Sequence, residues 1–157
     1  MRIFTPGPRA RHALIGAALA LLPLAAAADI VRVGEFIDVT NHRGGNVIEM
    51  VQTRAQLERS GRTVRIRGYC RSACTMLVTM PNACLGPNAV LGFHAPRLPN
   101  TKIIPPYVPE IMAQFYRGGI RKKWNESWSR SLEMHRISAR DYIKLDPQAR
   151  ICDSLRK

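Results

Sequence analysis

Hydrophobic and polar residues alternate along the chain in short blocks that predict strands and helices in turn. Residues 29–33 and 36–39 are two strand-like runs with a two-residue break between them. Between Val47 and Arg59 the apolar positions recur at helical spacing, which predicts a helix with one inward face. Residues 63–68 predict the next strand.

The second half of the pattern adds helices and one more strand. An apolar run over residues 73–80 is compatible with a helix, and residues 89–93 form a strand-like run. Two further helices are predicted over residues 110–116 and 120–135, and a short capped helix is predicted from Ser138 to just before Pro147. Strands separated by helices usually form right-handed crossovers. This order therefore predicts an α/β fold with a mainly parallel sheet in one small domain.

The N-terminal segment has the composition of a secretory signal peptide. Three arginines precede an apolar stretch that ends in small residues at Ala28. This succession of basic, apolar and small residues predicts cleavage after Ala28. The stretch is shorter than the roughly 20 residues that a spanning helix needs, which argues against an uncleaved anchor. We therefore expect residues 1–28 to be a signal peptide and residues 29–157 to be a periplasmic or secreted domain.

The four cysteines predict two disulfides. An even number of cysteines in an exported domain favours pairing, and four cysteines allow three pairings, which the sequence leaves open. A zinc site with His94 as an extra ligand is the alternative, but neither usual close-paired zinc motif is present. We expect disulfides, no metal and no other cofactor. The four residues are Cys70, Cys74, Cys84 and Cys152.

The chain is strongly basic, with a formal net charge of +13. Such an excess favours anionic surroundings such as lipid head groups, nucleic acid or acidic glycans. No basic helix with interleaved aromatic residues is present, so nucleic acid is not expected as a partner. A basic surface on an ordinary domain explains the charge as well, and association with a membrane surface has no further support.

Ser72 and His94 are the candidate catalytic pair. Ser72 lies in a polar turn between a predicted strand and an apolar run, where a serine is exposed beside backbone N–H groups that can hold an oxyanion. His94 comes directly after the strand-like segment 89–93 and is placed to act as a general base. The proline-rich segment after it, residues 96–109, either lines a substrate groove or forms a passive surface connection. A serine and a histidine at this spacing also occur by chance, so the surrounding sequence has to decide between the two interpretations.

Three sequence blocks around these residues form a recognisable pattern. They are residues 41–45 (Asn-His-Arg-Gly-Gly), 68–74 (Gly-Tyr-Cys-Arg-Ser-Ala-Cys) and 87–96 (Pro-Asn-Ala-Val-Leu-Gly-Phe-His-Ala-Pro). In this order they resemble the Clp-type serine peptidases of the ClpP/crotonase superfamily, and more closely its exported, periplasmic ClpP-like proteins. The resemblance implies a ClpP/crotonase-like sheet with crossover helices, and it implies homo-oligomers, because relatives form trimers or stacked rings.

The same resemblance assigns roles to individual residues. It implies Ser72 as the nucleophile, His94 as the base, and the backbone N–H groups of Gly45 and Ala73 as the oxyanion hole. The family's Asn-Ser-Pro-Gly-Gly turn is Asn-His-Arg-Gly-Gly here, and the substituted Arg43 either clamps a carboxylate or is solvated.

The third member of a catalytic triad is not fixed by the resemblance. Family members carry an acid shortly before a Ser-Ala segment that resembles residues 138–139. Glu133 is the first candidate for that acid and Asp141 the second. Without an acid the imidazole loses its orientation, which can cost about four orders of magnitude in rate.

These residues lead to two competing functions. The first is a small exported serine hydrolase, a peptidase that acts on unfolded or short peptides. The second is a non-catalytic module of the same fold that binds a peptide or an acyl group. A crotonase-like enzyme acting on acyl-coenzyme A is a third option, although coenzyme A is not expected outside the cytoplasm. Cys74 is an alternative nucleophile if its thiol is free.

Overall fold

The computed structural model describes residues 29–155, so the predicted signal peptide lies outside the described residues. Within this range the elements are, in order, β1 (Asp29–Val33), β2 (Phe36–Thr40), α1 (Val47–Arg59), β3 (Thr63–Arg67), β4 (Tyr69–Arg71), a 3₁₀ helix (Ser72–Leu77), β5 (Ala83–Leu85), β6 (Val90–Phe93), α2 (Val108–Ala113), α3 (Gly118–Glu126), a second 3₁₀ helix (Trp128–Arg130), β7 (His135–Ser138), α4 (Ala139–Leu145) and a third 3₁₀ helix (Asp153–Leu155). The chain forms a single small α/β domain, which confirms the predicted class.

Two small sheets build the domain. The first has the order β1–β2–β3–β5, in which β2, β3 and β5 run parallel and β1 runs antiparallel to β2. The second has the order β4–β6–β7, in which β4 runs parallel to β6 and β7 runs antiparallel to it. Both sheets are therefore mixed, whereas the hydrophobic pattern predicts one mainly parallel sheet. The antiparallel pair at β1 and β2 results from the two-residue turn between them, which is too short for a crossover.

Helix α1 has the bounds that the sequence predicts. The side-chain oxygen of Asn46 accepts hydrogen bonds from the N–H groups of Ile48 at 2.8 Å and Glu49 at 3.3 Å, and so caps the first turn. The helix buries Val47, Met50 and Leu57. Because α1 starts directly after the glycine turn at residues 44–45, its cap also fixes the position of that turn.

Two predicted helices are shorter in the structure. The run after residue 71 is a 3₁₀ helix over Ser72–Leu77 and does not continue to residue 80. The helix predicted over residues 120–135 ends at Glu126, and its last predicted residue begins β7. Pairing of β7 with β6, which is distant in sequence, outweighs the local helical pattern.

A separate strand, β4, leads into Ser72. The sequence predicts one strand through Gly68, but β3 ends at Arg67 and the chain bends at Gly68 with a φ of +62°. A side chain at Gly68 would collide with the side chain of Asn41, whose Oδ1 accepts a hydrogen bond from the N–H of Tyr69 at 3.0 Å. Gly68 thus lets the chain leave the first sheet and enter the second.

An aromatic cluster anchors the strand that precedes His94. Phe93 is fully buried, and its ring centroid lies 4.9 Å from that of Trp128 and 5.6 Å from that of Tyr116. The Tyr116 ring in turn lies 5.0 Å from that of Trp124. Such contacts hold β6 in the core, so the position of His94 is set by core packing.

All four cysteines form disulfides. Cys70 is bonded to Cys74 and Cys84 to Cys152, with Cα–Cα distances of 5.5 Å and 5.0 Å. The first bond closes a short loop around Ser72, and the second ties β5 to the C-terminal segment. Since disulfides persist in oxidising compartments, the two bonds indicate a location outside the cytoplasm.

Between residues 29 and 155 no helix has the length and apolar character needed to cross a bilayer.

Candidate active site

Ser72 and His94 come directly after the carboxyl ends of two neighbouring parallel strands. Strand β4 ends at Arg71, strand β6 ends at Phe93, and the register pairs Arg71 with Gly92. Residues at the carboxyl ends of parallel strands emerge at the same sheet edge, which is where α/β proteins commonly bind ligands. The pairing of β4 with β6 therefore brings the two predicted catalytic residues to one edge.

Ser72 has a strained backbone at the junction between β4 and the 3₁₀ helix. Its φ is +56°, in the left-handed region that residues other than glycine rarely adopt. The hydroxyl of Thr75 donates to the carbonyl of Ser72 at 2.7 Å, and it also pairs with the hydroxyl of Tyr116 at 2.8 Å. Because Tyr116 is buried in the aromatic cluster, this chain of hydrogen bonds ties the strained turn to the core.

The glycine turn of residues 41–45 packs directly against the Ser72 turn. The N–H of Arg71 donates to the carbonyl of His42 at 3.1 Å, and the N–H of Gly44 donates to Nδ1 of His42 at 3.0 Å. A Cβ atom on Gly44 would lie 2.8 Å from both the backbone nitrogen of Ala73 and the Cβ of Ser72. Only glycine fits there, so Gly44 sets how closely the two turns approach.

The two predicted oxyanion donors lie on these turns. Gly45 lines the same groove as Ser72, and a Cβ built on Gly45 meets no atom within 4 Å, so its backbone borders open space. Ala73 is the second residue of the 3₁₀ helix, where an N–H has no acceptor within the helix. The sequence predicts a role for Gly45 but not for Gly44, although the Gly-Gly pair contains both residues.

His94 is oriented by a backbone carbonyl. Its Nδ1 lies 2.7 Å from the carbonyl oxygen of Ala95. A carbonyl oxygen only accepts hydrogen bonds, so Nδ1 carries the proton and Nε2 keeps its lone pair. That is the tautomer a general base for Ser72 requires.

The surroundings of His94 favour the neutral form of its ring. Burial lowers the pKa of His94 below the ordinary 6.5, the Ala95 carbonyl opposes this, and the positive charges of Arg97 and Arg71 lower the pKa further. A neutral imidazole can accept a proton, so these effects favour the basic form near neutral pH.

Both candidate catalytic residues line one groove of about 700 Å³. Its walls combine the glycine turn, the start of α1, the proline-rich segment and the chain before β7. The lining residues are Arg43, Gly45, Asn46, Val47, Ile48, Arg71, Ser72, His94, Pro96, Arg97, Leu98, Pro99, Pro105, Val108, Leu132 and Met134. Of the two interpretations of the proline-rich segment, the structure thus favours the groove wall.

The two candidate acids do not line this groove. Glu133 lies between the lining residues Leu132 and Met134, and its backbone N–H donates to Oγ of Ser131. Asp141 lies in the first turn of α4, where its carboxylate accepts from the Ser138 hydroxyl and from Lys144, both at 2.7 Å. The structure does not bring either carboxylate to His94, and the assignment of Glu133 as the acid stays a prediction.

The disulfides leave no free thiol to act as a nucleophile among the described residues. Cys74 is bonded to Cys70 and fully buried, so the alternative of a Cys74 thiolate nucleophile is wrong. Among residues 29–155 no cluster of three or more histidine, cysteine or acidic side chains has the arrangement of a metal site. The nucleophile to consider is therefore Ser72.

Comparison with known proteins adds no further information. No protein-family model matches the chain, and no curated protein matches it. The site therefore has to be interpreted from its own geometry.

Proposed function

We propose that the protein is a serine hydrolase, and more specifically a peptidase, with Ser72 as nucleophile and His94 as general base. One observation carries the proposal: a serine in a left-handed turn and a histidine with a fixed tautomer line the same groove. Strained backbone at a strand-to-helix turn commonly marks a functional residue, because the surrounding contacts have to maintain it.

In the proposed reaction these groups act together at the groove. Oγ of Ser72 attacks the substrate carbonyl while Nε2 of His94 takes the hydroxyl proton. The N–H groups of Ala73 and Gly45 donate hydrogen bonds to the oxyanion. The tetrahedral intermediate then expels the leaving group, which receives the proton from His94, and water releases the acyl group from Ser72 in a second passage through the same steps.

The carbonyl of Ala95 takes the place that a carboxylate occupies in a Ser-His-Asp triad. It accepts a hydrogen bond from Nδ1–H and so fixes the ring, which is the orienting part of the acid's role. It carries no full negative charge, so it stabilises the imidazolium less than a carboxylate does. We therefore expect slow turnover.

An exported hydrolase is consistent with the rest of the chain. The two disulfides support an oxidising compartment, and we propose the periplasm, reached through cleavage of the predicted signal peptide after Ala28. Substrates would then be peptides that enter the groove without help from a cytoplasmic unfoldase.

Hydrolysis measured on the disulfide-bonded domain tests the proposal. Release of p-nitrophenol from p-nitrophenyl acetate and cleavage of fluorogenic short peptides should both be lost in Ser72→Ala and in His94→Ala. Ser154→Ala replaces an exposed serine away from the groove and should keep the full rate. Equal rates in the wild type and in Ser72→Ala would contradict the proposal.

A non-catalytic binding module is the second candidate, and one observation favours it. In the part of the chain that the structure describes, the hydrogen bond of the His94 ring goes to a backbone carbonyl and not to a carboxylate. Peptide binding without hydrolysis in the folded wild-type domain would favour this function over the first.

A further inference from the structure

The groove around Ser72 is positively charged. Three of its lining side chains are arginines, Arg43, Arg71 and Arg97, and none is a carboxylate. The buried carboxylates of the described chain are used elsewhere: Asp38 pairs with Arg65 and Arg67, and Asp146 pairs with Arg117. Between residues 29 and 155, the three groove arginines have no acidic partner within 4.0 Å, so their charges remain available to a ligand.

Arg71 is the best fixed of the three. It precedes Ser72 directly, and its guanidinium carbon lies 5.8 Å from the centroid of the Tyr69 ring. Tyr69 is itself held by Arg136, whose Nε donates to the Tyr69 hydroxyl at 3.2 Å. A half-buried arginine that rests on an aromatic ring loses less side-chain freedom on binding than a fully solvated one.

The other two arginines come from two different segments of the groove lining. Arg43 belongs to the glycine turn beside Gly45, and Arg97 lies three residues after His94. Arg71 and Arg97 both depress the pKa of His94, which agrees with their lying close to the imidazole. Part of the positive charge of the groove therefore lies close to His94.

Most of the other lining residues are apolar. Ile48 is 51 % exposed, Leu98 44 % and Leu132 37 %, and all three line this groove. A group of exposed apolar side chains in one place commonly marks a binding site. Val47, Val108 and three prolines also line it. A matching ligand carries an apolar side chain and an anionic group a short distance apart.

We propose that the groove binds the C-terminal ends of peptides, with the terminal carboxylate held by Arg71, Arg97 and Arg43 and an apolar terminal side chain against Ile48 and Leu98. Arginine suits this role because its planar guanidinium matches a carboxylate in bidentate geometry. The inference rests on the proposed function only for the step after binding, in which a bond one or two residues from the terminus is presented to Ser72.

Binding to Ser72→Ala tests the inference without requiring hydrolysis. Three fluorescein-labelled hexapeptides of alanine and leucine serve as probes: one ends in leucine as the free acid, one ends in leucine as the amide, and one is an amide with glutamate before the final leucine. Fluorescence anisotropy gives the dissociation constants. The acid should bind about tenfold more tightly than the neutral amide, and this preference should weaken with added salt.

Arginine variants on the same background locate the preference. The wild-type groove should prefer the acid over the amide about tenfold. In Arg71→Gln this preference should fall to about twofold, and in Arg97→Gln and in Arg43→Gln it should fall to about threefold. These losses lie within the range of partly exposed ion pairs. Arg121→Gln removes an exposed arginine of α3 outside the groove and should leave the ratio unchanged. Circular dichroism checks that each variant is folded.

Several results would overturn the inference. The first is equal affinity for the acid and the neutral amide. The second is an unchanged preference for the acid in each of the three groove variants. The third is no binding of the acid at millimolar peptide. Equal affinity for the acid and for the glutamate-containing amide would overturn the assignment to the chain terminus, because the groove would then accept any carboxylate. If the groove prefers the free acid but the wild-type protein hydrolyses no substrate, the proposed hydrolase function is contradicted and the binding inference is not.

Discussion

Gly44 packs so closely against Ser72 that a Cβ atom on Gly44 would lie 2.8 Å from the Cβ of Ser72. The same atom would lie 2.7 Å from the carbonyl oxygen of Arg71, and Gly44 has a φ of +86°. The glycine turn therefore fixes the position of the Ser72 turn. Moving one would move the other.

Gly44→Ala should separate the two turns. We expect a loss of about 2 kcal/mol in the free energy of unfolding from the strained φ and the collision, and at least a hundredfold loss of activity. Gly34→Ala is the matched control, because Gly34 also has a positive φ, +59°, but a Cβ there meets no atom within 4 Å. It should cost about 1 kcal/mol and leave the rate unchanged. Urea unfolding measures the effect on stability and ester hydrolysis the effect on activity. A fully active Gly44→Ala protein would show that Gly44 does not fix the position of Ser72.

One disulfide should contribute more to the stability of the domain and the other more to its activity. The Cys84–Cys152 bond spans 68 positions and the Cys70–Cys74 bond only four, so loop-closure entropy gives about 4 kcal/mol for the first and about 2 kcal/mol for the second. The short bond, however, brackets Ser72. Paired substitution by alanine should therefore reduce stability more at Cys84 and Cys152, and should reduce the rate more at Cys70 and Cys74. Equal losses of rate in both double variants, at a temperature where both are folded, would show that the short bond does not position Ser72.

The activity should extend to a lower pH than an ordinary histidine allows. Burial, Arg97 and Arg71 lower the pKa of His94, and the neutral form is the active base, so the acid limb of kcat/KM should lie below pH 6.5. His42 is also half-buried, and burial lowers its pKa too, so NMR titration of each ring has to assign the limb. Arg97→Gln removes a positive charge and should raise the pKa of His94, whereas Arg121→Gln should not. A His94 pKa above 6.5 in the wild type would be inconsistent with this site.

Glu133→Gln should reduce kcat/KM by less than about tenfold. The Nδ1 proton of His94 is held by the carbonyl of Ala95, so a neutral residue at position 133 should leave the tautomer unchanged. Loss of a true triad acid costs about four orders of magnitude. Asp141→Asn, at the start of α4, should likewise have a small effect on the rate. A thousandfold loss in Glu133→Gln would instead identify Glu133 as the acid, through a rearrangement on substrate binding.

Local signals in the sequence predict some elements well. The bounds of α1 are indicated by its apolar spacing, and α4 is indicated by its Ser138 cap. The strands β1 and β2 are separated by a turn that is visible in the sequence. The position of Ser72 at a turn between strand and helix is also evident from the local pattern.

Other features depend on contacts between distant segments and could not be predicted in this way. Strand β4 has only three residues and is defined by its pairing with β6, and β7 replaces the end of a predicted helix for the same reason. The disulfide pairing was one of three possibilities. The partner of His94 is a backbone carbonyl, which every residue has, so no choice of side chains in the sequence could indicate it.

The reaction of the disulfide-bonded wild-type domain with a fluorophosphonate is the decisive test of Ser72 as a nucleophile activated by His94, because it requires an activated serine but no knowledge of the substrate. Intact mass and peptide mapping should show one adduct, on Ser72, that is lost in Ser72→Ala, strongly slowed in His94→Ala and retained in Ser154→Ala. No adduct on the folded wild-type protein, or an adduct on Ser72 that forms equally fast without His94, would contradict the assignment of this pair.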